Sequence, residues 1–512
     1  MPPEGFGKSC ECTGKEVVTL PRTGISSHEK EIKMREGNLI DGRWVGADSG
    51  ATFEVSDPAT DRVVGRVPDA GADEARRAVD AAFGAFSAWA AKPAIERAKV
   101  LEALSARLAG DREELAALLT EEQGKPLPEA RAEIDYARSF FEVSAKACQE
   151  IRDETPSVPG KKVLVHRRPI GVAAAITPWN FPMAMLAKKI APAMAVGCTQ
   201  VLKPAEQTPL SAIALLDRAM ASGVPPGVLN LVTGDPAAIG SAWLEDPRVR
   251  KLSFTGSTDV GRILMRGAAT NLQRLSLELG GHAPMIVFED ASVDFAVEMA
   301  MAAKYRNGGQ TCICPNRFLV HRSLHDQFVS KFASRSAALV SGRGRDPGIA
   351  LGPMIDDAAI DKVEAHVADA IQQGATVVTG GRRRRIEGLA DRFFEPTVLT
   401  DCHSGMRCWK EETFGPVCPI RGFDDETEAL AQANDSEYGL ASYVVTNDPA
   451  RIRRLGDELR TGIIGVNDPG PAVAAVPFGG VKHSGFGREG GRWGLEEYLE
   501  MVTVSSLEPG AE

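Results

Sequence analysis

Long apolar runs are missing: nowhere in the 512 residues is there an unbroken apolar stretch of eighteen or more, so the sequence offers no membrane-spanning helix. The opening residues carry Pro, Glu and Lys where a secretory leader has its apolar core, and a cytoplasmic enzyme is expected. Cysteine is sparse and odd in number, nine in all, which argues against a disulfide framework and makes a singular Cys a candidate reactive group. Zinc is disfavoured too. Cys10 with Cys12 and Cys312 with Cys314 have no further Cys or His at ligand spacing, so no metal is expected. Aromatics make up 6% and the net charge is -10, a balance that repels a phosphate backbone. The basic cluster Arg382 to Arg385 has no interleaved aromatics to stack bases and is expected to be a solvated loop, so no nucleic-acid partner is expected.

What is present is the make-up of a soluble enzyme, 43% hydrophobic and 25% charged, in a chain long enough for two or three domains. Residues 1–37 are polar, broken by Pro and Gly, and form an N-terminal extension. Apolar residues at Ala75, Val79, Ala82 or Phe83, and Phe86 predict a helix between Ala72 and Trp89, and Leu101, Leu104 and Leu108 begin a second. Two helices are thus expected ahead of the first buried strand. Further on, apolar runs of strand length (172–176, 200–202, 229–232, 251–254, 285–288) alternate with Ala- and Leu-rich segments of helix length. That is the α/β pattern of a parallel sheet covered on both faces, which binds ligands beyond the carboxyl ends of its strands. Between Ile151 and Pro169 a Pro159-Gly160 turn, with Val163 and Val165 alternating with charged neighbours, predicts a hairpin with one wet face.

Cys312 stands in Asn307-Gly-Gly-Gln-Thr-Cys-Ile-Cys-Pro-Asn-Arg317, and Glu278 in Leu277-Glu-Leu-Gly-Gly281. A soft nucleophile and a distant carboxylate, each fenced by glycines, point to a covalent thioester that water finally attacks. On these motifs, from about Leu39 to about Tyr498, the chain resembles the aldehyde dehydrogenase superfamily, and within it the succinate-semialdehyde dehydrogenase branch. The resemblance implies a Rossmann-like cofactor domain of residues 38–150 and 170–279 and an α/β catalytic domain of residues 280–480. It also implies a small β element, 151–169 with 497–507, that joins subunits into a homodimer or homotetramer.

For the chemistry it implies that Cys312 adds to the aldehyde carbonyl and that Asn180, with the Cys312 N–H, holds the resulting oxyanion. Glu278, in a dry pocket that raises its pKa, activates the hydrolytic water. A nearby helix start or the cationic nicotinamide is expected to lower the thiol pKa, and Gly308 and Gly309 to let backbone and cofactor approach. Gly485-Phe-Gly-Arg-Glu-Gly490 matches GxGxxG, yet no apolar strand leads into it, so it is taken as structural. The pyrophosphate is expected instead at Phe254-Thr-Gly-Ser257, where a buried strand gives way to a helix. The resemblance adds contacts at Thr177, Pro178, Trp179, Lys203, Glu206, Gly240, Gly256, Leu279, Glu412 and Phe414. A carboxylate at Glu206 bonds both ribose hydroxyls but repels a 2′-phosphate, so NAD is expected over NADP.

Arg306, six residues before Cys312, matches the branch residue that grips a distal carboxylate, and Phe181 and Lys188 are further substrate candidates. The branch carries Arg where this chain has Lys188 and Ser where it has Ala472, which points to a tail larger than, or shaped unlike, a four-carbon semialdehyde. The expected substrate is an anionic aldehyde (succinate or glutarate semialdehyde, then phosphonate or sulfonate aldehydes), with uncharged aliphatic or aromatic aldehydes as the alternative. Cys314 resembles the second Cys of a reversible redox pair, and an inert thiol stands as the other reading. Two other classes stay open: a cysteine hydrolase using His282, and a non-catalytic binding protein on the same fold.

Overall fold

The computed structural model describes residues 36–507, so nearly all of the expected extension, with Cys10 and Cys12, lies outside the described residues. Two sheets organise the remainder. The first runs in the order Gly485–Phe486, Arg274–Glu278, Val249–Thr255, Val172–Ile176, Thr199–Lys203, Leu229–Leu231, Asn38–Ile40, Arg43–Val45. Its five central strands are parallel and its edges antiparallel. The central strands are runs of small and branched apolar residues buried on both faces, as parallel strands under helices must be. From Val172–Ile176 the chain moves to a neighbour on one side and later to Val249–Thr255 on the other, so the strand order reverses there and a crevice opens at the carboxyl ends.

The second sheet runs Thr376–Thr379, Thr397–Thr400, Val417–Phe423, Pro315–His321, Ala283–Val287, Ala441–Val445, Ile463–Val466. Only its first strand is antiparallel. Phe318, Phe328 and Phe332 fill one face and Phe288, Trp409 and Phe423 the other. The Gly485–Phe486 half of the GxGxxG string is an edge strand paired with Leu277 and Glu278.

The first helix, Ala72–Ala90, buries Ala75, Val79, Ala82 and Trp89 and leaves Phe83 exposed, so the apolar stripe passes through Ala82. Glu74 caps it by accepting the Gly71 N–H at 3.0 Å. In Ala94–Gly110, Leu101, Leu104 and Leu108 are fully buried, each worth about 1.5–3 kcal/mol relative to exposure. Four helices, not two, precede Val172–Ile176, the others being Arg112–Gln123 and Leu127–Ala147, and the buried strand Asn38–Ile40 precedes them all. The two missed helices bury charge as well as apolar surface, Glu122 and Glu133 among them, which breaks the polar-out rule.

The Pro159-Gly160 turn forms, closed by Val158 and Lys161. Glu154 pairs antiparallel with Val165 across it, as in the expected hairpin, while the long partner of Lys161–Pro169 is Leu499–Leu507, antiparallel over its whole length. Met501, Val504 and Leu507 are exposed on this ribbon. Among the described residues no helix is long and apolar enough to cross a membrane.

Candidate active site

The carboxyl edge of the first sheet faces the amino edge of the second. Strands 172–176, 249–255 and 274–278 release Thr177 to Asn180, Gly256 with Ser257, and Leu279 with Gly280. Strands 315–321 and 417–423 are preceded by the loops carrying Cys312 and Glu412 with Phe414. The seam encloses a cavity of about 380 Å³ whose lining is mostly apolar. Of the residues anticipated from sequence, Pro178, Trp179, Asn180, Phe181, Gly256, Ser257, Leu279, Arg306, Cys312, Glu412 and Phe414 line it. Thr177, Lys188, Lys203, Glu206, Gly240, Phe254 and Glu278 do not.

The loop before Cys312 is left-handed at Asn307, Gly308 and Gly309, with φ of 51°, 64° and 81°. A side chain at Gly309 would lie 2.3 Å from the Gly415 carbonyl oxygen, and one at Gly281 2.2 Å from that of Cys312. These glycines therefore let the Cys312 loop, the Glu412 loop and the end of strand 274–278 close on one another. Asn180 Nδ2 donates to the Gln310 carbonyl at 3.1 Å, which leaves its second N–H for a ligand. Asn307 Nδ2 donates to the Asn180 and Gln310 carbonyls at 3.1 and 3.3 Å. Asn307 and Gln310 escaped notice in the sequence, although both stand inside the Cys312 motif; a turn of glycines hides which polar neighbours face inward.

Burial pushes the Cys312 thiol up to about 12, against the lowering pull of Lys188 and Arg306. The lowering expected from a helix start is therefore not present in this state, because no helix begins at Cys312 to offset the loss of solvent. Cys314 is buried, its Sγ 3.6 Å from the Lys304 carbonyl oxygen.

Glu278 is 2% exposed, and neither carboxylate oxygen has a hydrogen-bond partner among the described residues. Burial, then repulsion from Glu489, holds its carboxyl well above the usual range, while Lys188, Lys189 and Arg488 pull the other way. Lys189 Nζ donates to Glu489 Oε1 at 2.6 Å and to Ser253 at 3.0 Å. Lys188, expected at the substrate, instead lies 3.2 Å from Glu489 Oε2 and 3.2 Å from the Phe478 ring centroid. Its charge is held behind the cavity wall by a carboxylate 301 positions away in sequence. His282 Nε2 donates to the Trp409 carbonyl at 2.8 Å and does not line the Cys312 cavity, which removes the base a cysteine hydrolase needs.

Arg306 lies in the cavity, its guanidinium 4.6 Å from the Phe181 ring centroid. No carboxylate or carbonyl among the described residues accepts a hydrogen bond from it. Around it the lining includes Tyr136, Met185, Ala472 and Phe478.

On the cofactor side, Ser257 Oγ caps the helix Thr258–Ala268 by accepting the Val260 N–H at 3.3 Å. Thr177 Oγ1 and Thr255 Oγ1, at adjacent strand ends, are buried without partners among the described residues, and such orphaned hydroxyls beside a helix start fit a phosphate-bearing group. Lys203 pairs with Glu206 at the next strand end, just past Val172–Ile176. Glu412 accepts the Gly281 N–H at 2.9 Å, and burial raises its carboxyl to about 7. Phe414 stands edge-on to Trp179 at 5.5 Å. The Phe254 ring lies under Gly256. Gly240 is inside the helix Pro236–Glu245, away from the cavity.

The family model for the aldehyde dehydrogenase family matches residues 44–504. An NADP(+) succinate-semialdehyde dehydrogenase of Escherichia coli is 48% identical over 472 residues, covering 91% of this chain and 97% of that one. A 3-sulfolactaldehyde dehydrogenase of Pseudomonas putida is 48% identical over 473 residues, covering 92% and 97%. The crystal structure of a succinate-semialdehyde dehydrogenase from Burkholderia pseudomallei superposes with a TM-score of 0.92 at 48% identity, covering 94% of this chain and 100% of that chain. A cavity built between two sheets around Cys312, and a match over nearly the whole sequence, lead to one assignment: the chain belongs to the aldehyde dehydrogenase family.

Proposed function

We propose that the enzyme oxidises an aldehyde with an anionic tail, such as succinate semialdehyde, to the corresponding acid, with NAD as the preferred cofactor. The observation that carries this is Arg306: a guanidinium without an acceptor among the described residues, set in a mostly apolar cavity that also holds Cys312. A half-buried guanidinium of that kind binds a carboxylate or sulfonate by charge-assisted hydrogen bonds. The relatives named for succinate semialdehyde and 3-sulfolactaldehyde support an anionic class.

In this reading the Cys312 thiol gives its proton to solvent water, helped by the two cations that favour its thiolate, and Sγ bonds to the carbonyl carbon as the carbonyl π bond opens to an alkoxide. The free N–H of Asn180 and the Cys312 backbone N–H hold the alkoxide so formed. NAD, when bound, supplies the acceptor for the hydride that leaves this carbon. The alkoxide oxygen then re-forms a carbonyl, now in a thioester to Sγ. Glu278 takes a proton from water, whose oxygen attacks the thioester carbon, and the C–S bond breaks to release the acid. Glu206, held by Lys203, supports NAD, since a 2′-phosphate would meet its charge. The exposed apolar residues of the 161–169 and 499–507 ribbon support its use in joining subunits. The apolar lining at Phe181, Met185 and Phe478 is what favours the second reading, an uncharged aldehyde.

Arg306→Ala decides between the two. A charge-assisted bond is worth about 1.5–3 kcal/mol, so kcat/KM for succinate semialdehyde should fall about 10- to 150-fold, with butanal changed less than about threefold. Equal losses on both aldehydes would remove the anionic tail.

A further inference from the structure

Beneath the cavity lies a group of buried charges that the chemistry above does not use. Lys125, in the turn between helices 112–123 and 127–147, and Glu133, on the second of them, both have side chains with no exposed surface. Lys125 Nζ lies 2.6 Å from Glu133 Oε2, 2.7 Å from the Asn180 carbonyl oxygen and 3.7 Å from the Phe181 ring centroid. The other oxygen of Glu133 accepts the Met183 and Ala184 N–H groups at 3.0 and 3.2 Å, capping the helix that starts two residues after Asn180. One helical turn before Glu133, on the same face, Glu129 accepts the Asn307 N–H at 2.6 Å. The Asn307 side chain in turn donates to the Asn180 and Gln310 carbonyls.

Asn180 is therefore held at its carbonyl by Lys125 and Asn307, at its amide by Gln310, and through the following helix by Glu133. The Cys312 loop is held by Glu129 through the same Asn307. A buried ion pair adds little net stability compared with apolar residues of equal volume, so stability alone gives a weak account of placing three charges here. An oxyanion donor, by contrast, must stay within about 0.5 Å of its working position.

Resting on the oxyanion reading of Asn180, we infer that Lys125 and Glu133, with Glu129, are positioning residues that fix the Asn180 amide against the Cys312 loop. They act through Asn180 and Asn307 and do not touch substrate: none of the three lines the cavity.

The test is a mutant cycle on the full-length enzyme, with NAD and succinate semialdehyde. Lys125→Met and Glu133→Gln are each made in the parent and in Asn180→Ala, and the first-turnover rate of NADH formation is read. Glu133→Gln keeps the volume and an acceptor for the helix cap, so the test survives if Lys125→Met does not fold. Loss of one oxyanion donor typically costs about 10²- to 10³-fold, so Asn180→Ala should slow hydride release by about that factor. Each cradle variant should cost about 10- to 100-fold in the parent but less than about threefold in Asn180→Ala, with KM for the aldehyde and Kd for NAD unchanged. Equal losses in both backgrounds, or none in either, would overturn the positioning role while leaving the oxyanion reading intact. A normal first turnover in Asn180→Ala would overturn the oxyanion reading itself, and the positioning role with it.

Discussion

Glu278→Gln preserves the shape of a side chain that is 2% exposed and removes only its capacity to take a proton. Because neither oxygen is hydrogen-bonded within the described residues, the change breaks no such bond of the fold. In the proposed mechanism thiol addition and hydride loss do not call on this carboxylate, whereas hydrolysis of the thioester does. A general base contributes about 10²–10⁴-fold, which is about 3–5 kcal/mol of barrier at 1.36 kcal/mol per decade. Steady-state turnover should fall by that factor while the first turnover still yields one NADH per site, a burst followed by a near-flat line in stopped-flow absorbance. Burial and Glu489 raise this carboxyl, so the parent's deacylation rate should climb with pH through the raised value, and the variant should lose that step.

Stability gives an independent check on the same residue. A carboxyl raised in the folded state contributes stability that is complete below the usual carboxylate range and is lost as pH rises through the raised value. Gln stays neutral throughout, so Glu278→Gln should melt above the parent at about pH 8 and level with it at about pH 4. Undiminished steady-state turnover would refute the base assignment, and a melting difference that grows toward acid would refute the buried, raised carboxyl.

Two further outcomes follow from the site. Glu206→Ser removes the charge that opposes a 2′-phosphate, so the NADP-to-NAD ratio of kcat/KM should rise by at least about tenfold, and an unchanged ratio would count against Glu206 as the selector. With the Cys312 thiol pushed up to about 12 in the free enzyme, alkylation by iodoacetamide without cofactor should accelerate about tenfold per pH unit across pH 7–10, and a plateau below pH 9 would show a thiol already ionised.

The five runs read as strands are strands, because short, largely apolar segments between helix-length stretches have few other solutions in an α/β chain. Cys312, Asn180 and Glu412 stand out by their motifs and Arg306 by its spacing from Cys312, and the fold gathers all four at one cavity. Lys188 was misplaced since nothing near it in sequence announces Glu489, the carboxylate that claims it. Nothing in the sequence singles out Glu129 or Glu133, since Glu on a helix is usually solvated, and only the fold shows them turned toward Asn307 and Met183. The hairpin turn before Lys161–Pro169 was legible because a Pro-Gly turn is a local signal, whereas the full pairing with the remote strand Leu499–Leu507 shows only in the fold.

That remoteness has a consequence for biosynthesis. Pro169 pairs with Leu499, 330 positions further on, an interval of tens of seconds at about 5–20 residues per second of translation. Throughout that time the earlier strand has an open edge, able to template association with neighbouring nascent chains. Lys161, Lys162, His166, Arg167 and Arg168 crowd this one strand with basic side chains. Asp153 and Glu154, made earlier, pair with His166 and Arg167, and the charge left on the lysines and Arg168 opposes pairing of two waiting edges until Glu500 arrives on the later strand to meet Arg168.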